Sequence, residues 1–135
     1  MRRHEAGVTL IEMLVVVTII ALFTTLVGPR IIEHLEKAKR VAARVQINNF
    51  EQALVQYKLD TGIFPTTEQG LEALRSRPAN VDHWDSPYLV KEIPLDPWGH
   101  PYVYKFPGEH GNQPDIVSYG ADGRVGGDDI VSWKN

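Results

Sequence analysis

The chain of 135 residues has room for one compact domain, and its composition, 43% hydrophobic and 23% charged, is ordinary for a folded protein. Residues 1–59 carry eight Lys and Arg against five Asp and Glu, whereas residues 60–135 carry six against twelve. The sequence pI of about 5.9 and the lack of a basic patch interleaved with aromatic residues argue against nucleic-acid binding as the function.

An apolar segment runs from Val8 to Val27 and contains one ionisable residue, Glu12. At 1.5 Å per residue, about 20 helical residues match the roughly 30 Å of a bilayer's hydrocarbon core. Arg2 and Arg3 precede the segment, and by the positive-inside rule they keep the N-terminus in the cytoplasm. The sequence therefore predicts a transmembrane helix over residues 8–28, with the C-terminal part on the periplasmic side of a bacterial inner membrane.

A cleaved secretory signal is the ordinary alternative for an apolar N-terminal segment. Such a signal needs a cleavage site of small residues directly after its apolar core. The residues after Val27 offer no such site and continue a helical pattern. We therefore expect the segment to remain in the mature protein.

Glu12 requires an explanation, because a charged side chain deep in a bilayer costs about 2.5 to 3.5 kcal/mol on insertion scales. In one interpretation the carboxylate lies shallow and reaches the membrane interface. In the other, cleavage after Gly7 creates an α-amine on Val8, about one helical turn away, which pairs with Glu12 of the same or a neighbouring chain. The residues alone leave both open.

The string from Gly7 to Glu12 resembles the cleavage and methylation motif of type IV pilin-like precursors. In that family a prepilin peptidase cuts after the glycine and methylates the new N-terminus. The resemblance implies that residues 1–7 are a leader peptide, that cleavage falls between Gly7 and Val8, and that Val8 becomes N-methylated. Val8 departs from the family's usual Phe. The resemblance also gives Glu12 and Pro29 roles in filament assembly.

A helical pattern resumes after Gly28-Pro29 and predicts an amphipathic stem helix over residues 29–61, with Gly62 near the C′ position. Pro29 has no N–H to donate to the carbonyl of Thr25, so we expect a kink or local melting there. The apolar residues form two adjoining stripes, the first Ile31, Leu35, Ala38, Ala42 and Val45, the second Ala43, Ile47, Phe50, Leu54 and Tyr57.

Residues 62–135 form the predicted head. Thr66 and Gln69 have the spacing of a capping box that opens a short helix through Leu74. Extended segments are predicted at residues 88–93, 102–106 and 116–119, separated by Pro-rich and Gly-rich turns. The expected architecture is α+β, with a small antiparallel sheet packed on the stem helix.

The C-terminal loop, residues 119–130, contains four glycines and three aspartates. Its carboxylates would repel one another unless hydrated or bridged by a cation, and calcium accepts such mixed carboxylate and carbonyl oxygens. The order of residues is not that of an EF-hand. An acidic surface turn is the equally weighted alternative. A cation would stabilise a head of about 75 residues that has no cysteine for a disulfide.

No catalytic motif is present in the sequence. The five histidines lack ligand spacing, and no Ser or Thr lies in a nucleophile motif. We expect that the protein is not an enzyme. Its aromatic residues are expected in the core of the head rather than on a binding surface.

Three strings of the head, together with the N-terminal motif, resemble the major pseudopilins of type II secretion systems: Thr61 to Leu71, Ile93 to Gly99, and Ser118 to Gly123. The resemblance implies a pilin-like fold and a calcium loop. The metal ligands would be Asp122, Asp128 or Asp129, and the backbone carbonyls of Tyr119 and Arg124.

The same resemblance implies a structural subunit that homopolymerises into a periplasmic pseudopilus and drives export of folded proteins across the outer membrane. Its partners would be minor pseudopilins, the prepilin peptidase, the inner-membrane assembly platform and the membrane. A type IV pilin or minor pseudopilin is the nearest alternative, although pilins usually carry a C-terminal disulfide and this chain has no cysteine. A further alternative is an uncleaved, membrane-anchored periplasmic binding module.

Overall fold

A computed structural model describes residues 7–85 and 87–134, so most of the predicted leader lies outside the described residues. The chain divides into two units, Met1–Lys37 and Ala38–Asn135. Its elements are a long helix α1, a 3-10 helix and three strands, with the bounds α1 Leu10–Thr61, 3-10 helix Leu71–Leu74, β1 Val103–Lys105, β2 Asp115–Ser118 and β3 Ile130–Val131. The predicted α+β class, with one long N-terminal helix and a small antiparallel sheet, is confirmed.

The start of α1 is held by reciprocal hydrogen bonds between Thr9 and Glu12. The Glu12 amide donates to Thr9 Oγ1 at 3.3 Å, and the Thr9 amide donates to Glu12 Oε2 at 3.2 Å. This is a capping box, which satisfies two of the N–H groups that a helix start leaves free. Every side chain from Val8 to Val27 is exposed, and the helix is long and apolar enough to cross a membrane.

Of the kink or local melting predicted at Pro29, the melting is wrong, because α1 is helical through residues 28–30. Proline removes one hydrogen bond from a helix interior. The bonds of the surrounding turns remain, and they are sufficient to keep the backbone helical.

The C-terminal half of α1 contributes one face to the core of the second unit. Of the two predicted stripes, the structure buries the second; Ile31, Leu35 and Val45 of the first are more than half exposed. The buried helix residues pack with residues of the 3-10 helix and the strands, forming a core of Ala43, Ile47, Phe50, Ala53, Leu54, Tyr57, Phe64, Leu71, Ala73, Leu74, Tyr104, Ile116 and Ile130. The helix ends at Thr61, and Gly62 takes φ 89° while its amide donates to the Lys58 carbonyl at 2.8 Å.

The predicted capping box of the short helix is present. The Gln69 amide donates to Thr66 Oγ1 at 3.2 Å, and the Thr66 amide donates to Gln69 Oε1 at 2.9 Å. The turn that follows does not continue as an α-helix, because Gly70 takes φ 61° and the chain re-enters as a 3-10 helix. Leu71 and Leu74 are buried.

The sheet has the order β1-β2-β3 and is antiparallel throughout. Tyr104 lies opposite Ile116, and Ser118 lies opposite Ile130. Two of the three predicted extended segments correspond to β1 and β2. The third prediction, residues 88–93, is wrong: the amides of Tyr88 and Leu89 both donate to the Leu74 carbonyl instead of to a strand. β3 was not predicted.

Candidate functional site

The C-terminal loop connects β2 to β3, and the Ser118–Ile130 pair closes it. Asp122 and Asp128 are exposed, and Asp129 is half-buried. Within the described ranges, no group of three or more acidic or histidine side chains is arranged so that it could hold a metal ion. Any cation here would therefore depend on carbonyl oxygens as well as carboxylates.

Three of the predicted ligand residues meet around Gly126. A Cβ placed on Gly126 would lie 3.5 Å from Asp128 Oδ1 and 3.8 Å from the Arg124 carbonyl oxygen. The Gly126 amide donates to Asp129 Oδ2 at 3.1 Å. Asp129 Oδ1 is buried and has no hydrogen-bond partner within the described part of the chain. A buried oxygen without a donor costs free energy, so this set of carboxylate and carbonyl oxygens fits a hard cation such as Ca²⁺.

Asp122 lies in the preceding turn of the loop, where its Oδ1 accepts from the Arg124 amide at 3.0 Å. This contact fixes the turn that carries the Arg124 carbonyl. Tyr119, the first predicted carbonyl ligand, directly follows β2 and is half-buried. The structure thus gathers Arg124, Asp128 and Asp129 and places Asp122 and Tyr119 on the first half of the same loop.

Two arginines of α1 hold the C-terminal segment, and sequence reasoning missed both contacts. Arg40 Nη1 donates to the Asp128 carbonyl at 2.9 Å, and Arg44 Nη1 donates to the Lys134 carbonyl at 2.8 Å. The available signal was their spacing of four, which places both on one helix face.

A second missed feature is the buried carboxylate of Asp96. It accepts hydrogen bonds from the Trp98 amide at 3.1 Å, the His100 amide at 2.8 Å and the Ser118 hydroxyl at 2.6 Å. Burial, with a smaller contribution from the negative charge of Asp96, raises the pKa of Tyr102 to about 12. The sequence indicated only a turn here, through Asp96-Pro97-Trp98-Gly99.

The N-terminal processing residues are accessible. Gly7 and Val8 precede the first helical residue, and the side chain of Val8 is 63% exposed. Among the described residues, and apart from its chain neighbours, no atom lies within 4 Å of a Cβ placed on Gly7. An exposed, non-helical peptide bond is the kind of segment a peptidase can bind in an extended conformation.

Comparison with known families matches nearly the whole chain. Residues 30–133 match the family model of the type II secretion system (T2SS), protein G, and residues 2–28 match that of the prokaryotic N-terminal methylation motif. The chain belongs to the type II secretion system protein G family. The family predicted from the N-terminal motif and the strings of the head is confirmed.

Relatives in this family include the type II secretion system core protein G of Pseudomonas aeruginosa, 41% identical with 99% of each chain covered. That of Vibrio cholerae is 40% identical, with 98% of this chain and 94% of the relative covered. A crystal structure of the major pseudopilin of the type 2 secretion system of enterohaemorrhagic Escherichia coli is similar, with a TM-score of 0.68 and 33% identity. It covers 77% of this chain and 94% of that protein, which confirms the pilin-like fold.

Proposed function

We propose that this chain is a structural subunit of a type II secretion pseudopilus, which polymerises through its N-terminal helix to drive export of folded proteins across the outer membrane. One observation carries the proposal: a methylation motif and an exposed apolar helix are joined in one chain to a protein G head. The role is structural rather than enzymatic. Minor pseudopilins and the inner-membrane assembly platform are the proposed partners.

Processing comes first in this proposal. The prepilin peptidase cleaves between Gly7 and Val8 and methylates Val8, while the apolar helix anchors the subunit in the inner membrane with its head in the periplasm. The exposure of the Gly7-Val8 bond supports cleavage at this position. The length of the apolar helix supports anchoring.

Assembly then pairs Glu12 with the Val8 amine of an adjacent protomer as apolar helices bundle at the filament centre. The charge of Glu12 supports this pairing, because in an apolar bundle a carboxylate needs a cationic partner. Pro29 has no N–H, so α1 lacks one backbone hydrogen bond just beyond the membrane segment. We propose that the helix unwinds there on assembly.

Mass spectrometry of the intact protein tests the processing step. Protein extracted from membranes of cells with an active prepilin peptidase should lack residues 1–7 and carry one added methyl group. Retention of residues 1–7 would overturn the proposal. Cells in which the peptidase has been deleted provide the control, since they should keep the full chain.

The assembly step has a separate test in a strain that lacks its own protein G. This chain should restore secretion, and single cysteines introduced at Leu10 or Leu14 should give cross-linked dimers, because one thiol per chain can join only two chains. The native chain has no cysteine, so each introduced thiol reports alone. Monomeric protein at native expression, with no secretion, would contradict the filament role.

We also propose that the C-terminal loop binds Ca²⁺ through Asp122, Asp128, Asp129 and the carbonyls of Tyr119 and Arg124. The convergence of oxygens around Gly126 and the unpartnered Asp129 Oδ1 support this set. When bound, the cation supplies positive charge that neutralises the loop carboxylates. The chain itself positions the oxygens through the turns at Asp122 and Gly126.

The calcium proposal is tested on the full-length chain in detergent. Chelator should lower the melting temperature of the wild type, and Asp122→Ala should remove this sensitivity. Asp82→Ala is the matched control, because the Asp82 side chain is 90% exposed and lies outside the loop. Identical melting of the wild type with Ca²⁺ and with chelator would exclude a stabilising site.

A further inference from the structure

We propose that Asp96 is a positioning residue for the C-terminal loop. Acting through Ser118 and His100, it fixes both backbone groups of Gly120 and so orients the Tyr119 carbonyl. Its functional consequence rests on the calcium site proposed above, whereas its structural part stands on hydrogen bonds within the head.

The Asp96 carboxylate is a fixed anchor. Its side chain is fully buried, with three donors on its two oxygens: the Trp98 and His100 amides on Oδ1 and the Ser118 hydroxyl on Oδ2. A buried carboxylate is costly unless it is hydrogen-bonded, so losing any one of these donors would cost free energy. The turn that begins at Asp96 is closed further by its own amide, which donates to the His100 carbonyl at 2.7 Å.

The first connection runs from Asp96 through Ser118 to the Gly120 amide. A serine hydroxyl has one proton, and at 2.6 Å that proton is committed to Asp96 Oδ2. Ser118 Oγ therefore presents a lone pair, which accepts from the Gly120 amide at 3.4 Å. In a trans peptide the N–H and the preceding C=O lie in one plane and point in opposite directions. Holding the Gly120 amide toward Ser118 thus turns the Tyr119 carbonyl away from Ser118.

The second connection runs from Asp96 through His100 to the Gly120 carbonyl. Asp96 holds the His100 backbone, and His100 Nδ1 lies 3.2 Å from the Gly120 carbonyl oxygen. A carbonyl can only accept, so Nδ1 carries the proton and donates. The imidazole also lies against Gly123, where an added Cβ would be 2.9 Å from Nε2. The ring therefore contacts the loop at two positions.

Gly120 is held at both of its peptide planes by side chains anchored on one carboxylate. Its φ of 69° is accessible to glycine, and an added Cβ would lie 3.3 Å from the Asp128 carbonyl oxygen. The direction of the Tyr119 carbonyl is consequently set by the protein before a cation binds. Groups that orient metal ligands in this way typically contribute about 10- to 100-fold to metal affinity.

The test compares variants of the full-length protein in detergent by two measurements, Ca²⁺ titration calorimetry and amide hydrogen exchange of residues 119–124. Ser118→Ala and His100→Ala should each weaken Ca²⁺ binding by about 10- to 100-fold and speed exchange in this segment. His100→Asn should restore most of both, because its amide nitrogen can donate from about the position of Nδ1. His100 is part-exposed, so its variants should fold even if Ser118→Ala does not.

Ser132→Ala is the matched control. Ser132 is also buried, and its hydroxyl oxygen accepts from the amide of Ile116, a residue outside the loop, at 3.0 Å. This variant should lower the melting temperature like Ser118→Ala while leaving affinity and exchange of residues 119–124 unchanged. Equal affinity and exchange in wild type, Ser118→Ala and His100→Ala would overturn the proposal, as would equal losses in Ser132→Ala.

The two proposals fail in different ways. A wild type that binds no Ca²⁺ refutes the calcium site. The exchange measurement then still decides the positioning role: faster exchange in Ser118→Ala and His100→Ala, but not in Ser132→Ala, supports it, and unchanged exchange refutes it.

Discussion

Arg40 Nη1 donates to the backbone carbonyl of Asp128 at 2.9 Å and joins residues 88 positions apart in the sequence. The contact links α1 directly to the half of the loop that gathers the candidate calcium ligands. Because the arginine takes the Asp128 carbonyl, it also fixes the backbone from which the Asp128 carboxylate extends.

Arg40→Ala should therefore loosen the loop. Loss of a hydrogen bond from an exposed charged group should lower the free energy of unfolding by about 1 kcal/mol and weaken Ca²⁺ binding. Arg44→Ala is the control, because it removes a similar bond to the Lys134 carbonyl, outside the loop. Denaturation of the full-length chain with and without Ca²⁺ measures both. An equal Ca²⁺ effect in the two variants would contradict a specific role for Arg40.

Glu51 predicts a pH dependence of stability. Burial raises the pKa of this carboxyl above its ordinary value of 4.5. From about pH 4.5 up to the folded-state pKa, the folded chain binds more protons than the unfolded chain, so this group lowers stability as the pH rises through that window. Glu51→Gln should raise the free energy of unfolding at neutral pH by about 0.5 kcal/mol or less.

Denaturation measured from about pH 4 to about pH 7, a range chosen to span that window, checks the Glu51 prediction. The difference between Glu51→Gln and wild type should grow with pH and then level off. A difference that is constant with pH would mean that the carboxyl titrates alike in the folded and unfolded chain.

Gly123 should not tolerate a side chain. It has φ 66°, and an added Cβ would lie 2.9 Å from His100 Nε2. Gly123→Ala should lower the free energy of unfolding by about 1 to 3 kcal/mol, since backbone strain and crowding of the imidazole act together. Gly127→Ala should be nearly neutral, because its added Cβ meets no atom of the described residues within 4 Å beyond its chain neighbours. Melting temperatures compare the two, and equal losses would show that the local conformation at Gly123 is unimportant.

Glu12→Gln separates the charge of Glu12 from its capping role. Glutamine also serves in a capping box, so the contact with Thr9 can persist and the helix start should be preserved. A neutral amide cannot neutralise the Val8 amine, so cleavage should continue while secretion and cross-linked dimers are lost. Thr9→Ala is the complementary variant, since it removes the cap and keeps the charge. Normal secretion with Glu12→Gln would rule out charge pairing as the basis of assembly.

Features that depend on local residues could be predicted from the sequence. The spacing of apolar residues predicted the long helix. The spacing of Thr66 and Gln69 predicted the capping box, and the glycines and aspartates indicated the loop. The predicted stem and head boundaries, at 28–29 and 61–62, lie where the composition of the sequence changes. Contacts between residues instead divide the chain after Lys37.

Contacts between distant residues could not be predicted. Asp96 and Ser118 are 22 positions apart, and a buried carboxylate in a turn sequence looks the same as an exposed one. β3 has only two residues, too few to show an alternating apolar pattern in the sequence. Its position is set by its pairing with β2. Arg40 fits equally well on a solvated helix face, so only the folded chain identifies its acceptor.

The reciprocal bonds between Thr9 and Glu12 give the carboxylate a hydrogen-bond donor within its own chain, the Thr9 amide. A processed subunit in the proposed pathway can therefore exist as a single molecule in which the Glu12 carboxylate accepts a hydrogen bond from one backbone amide. Recruitment into a filament then exchanges a weak internal partner for a cationic external one.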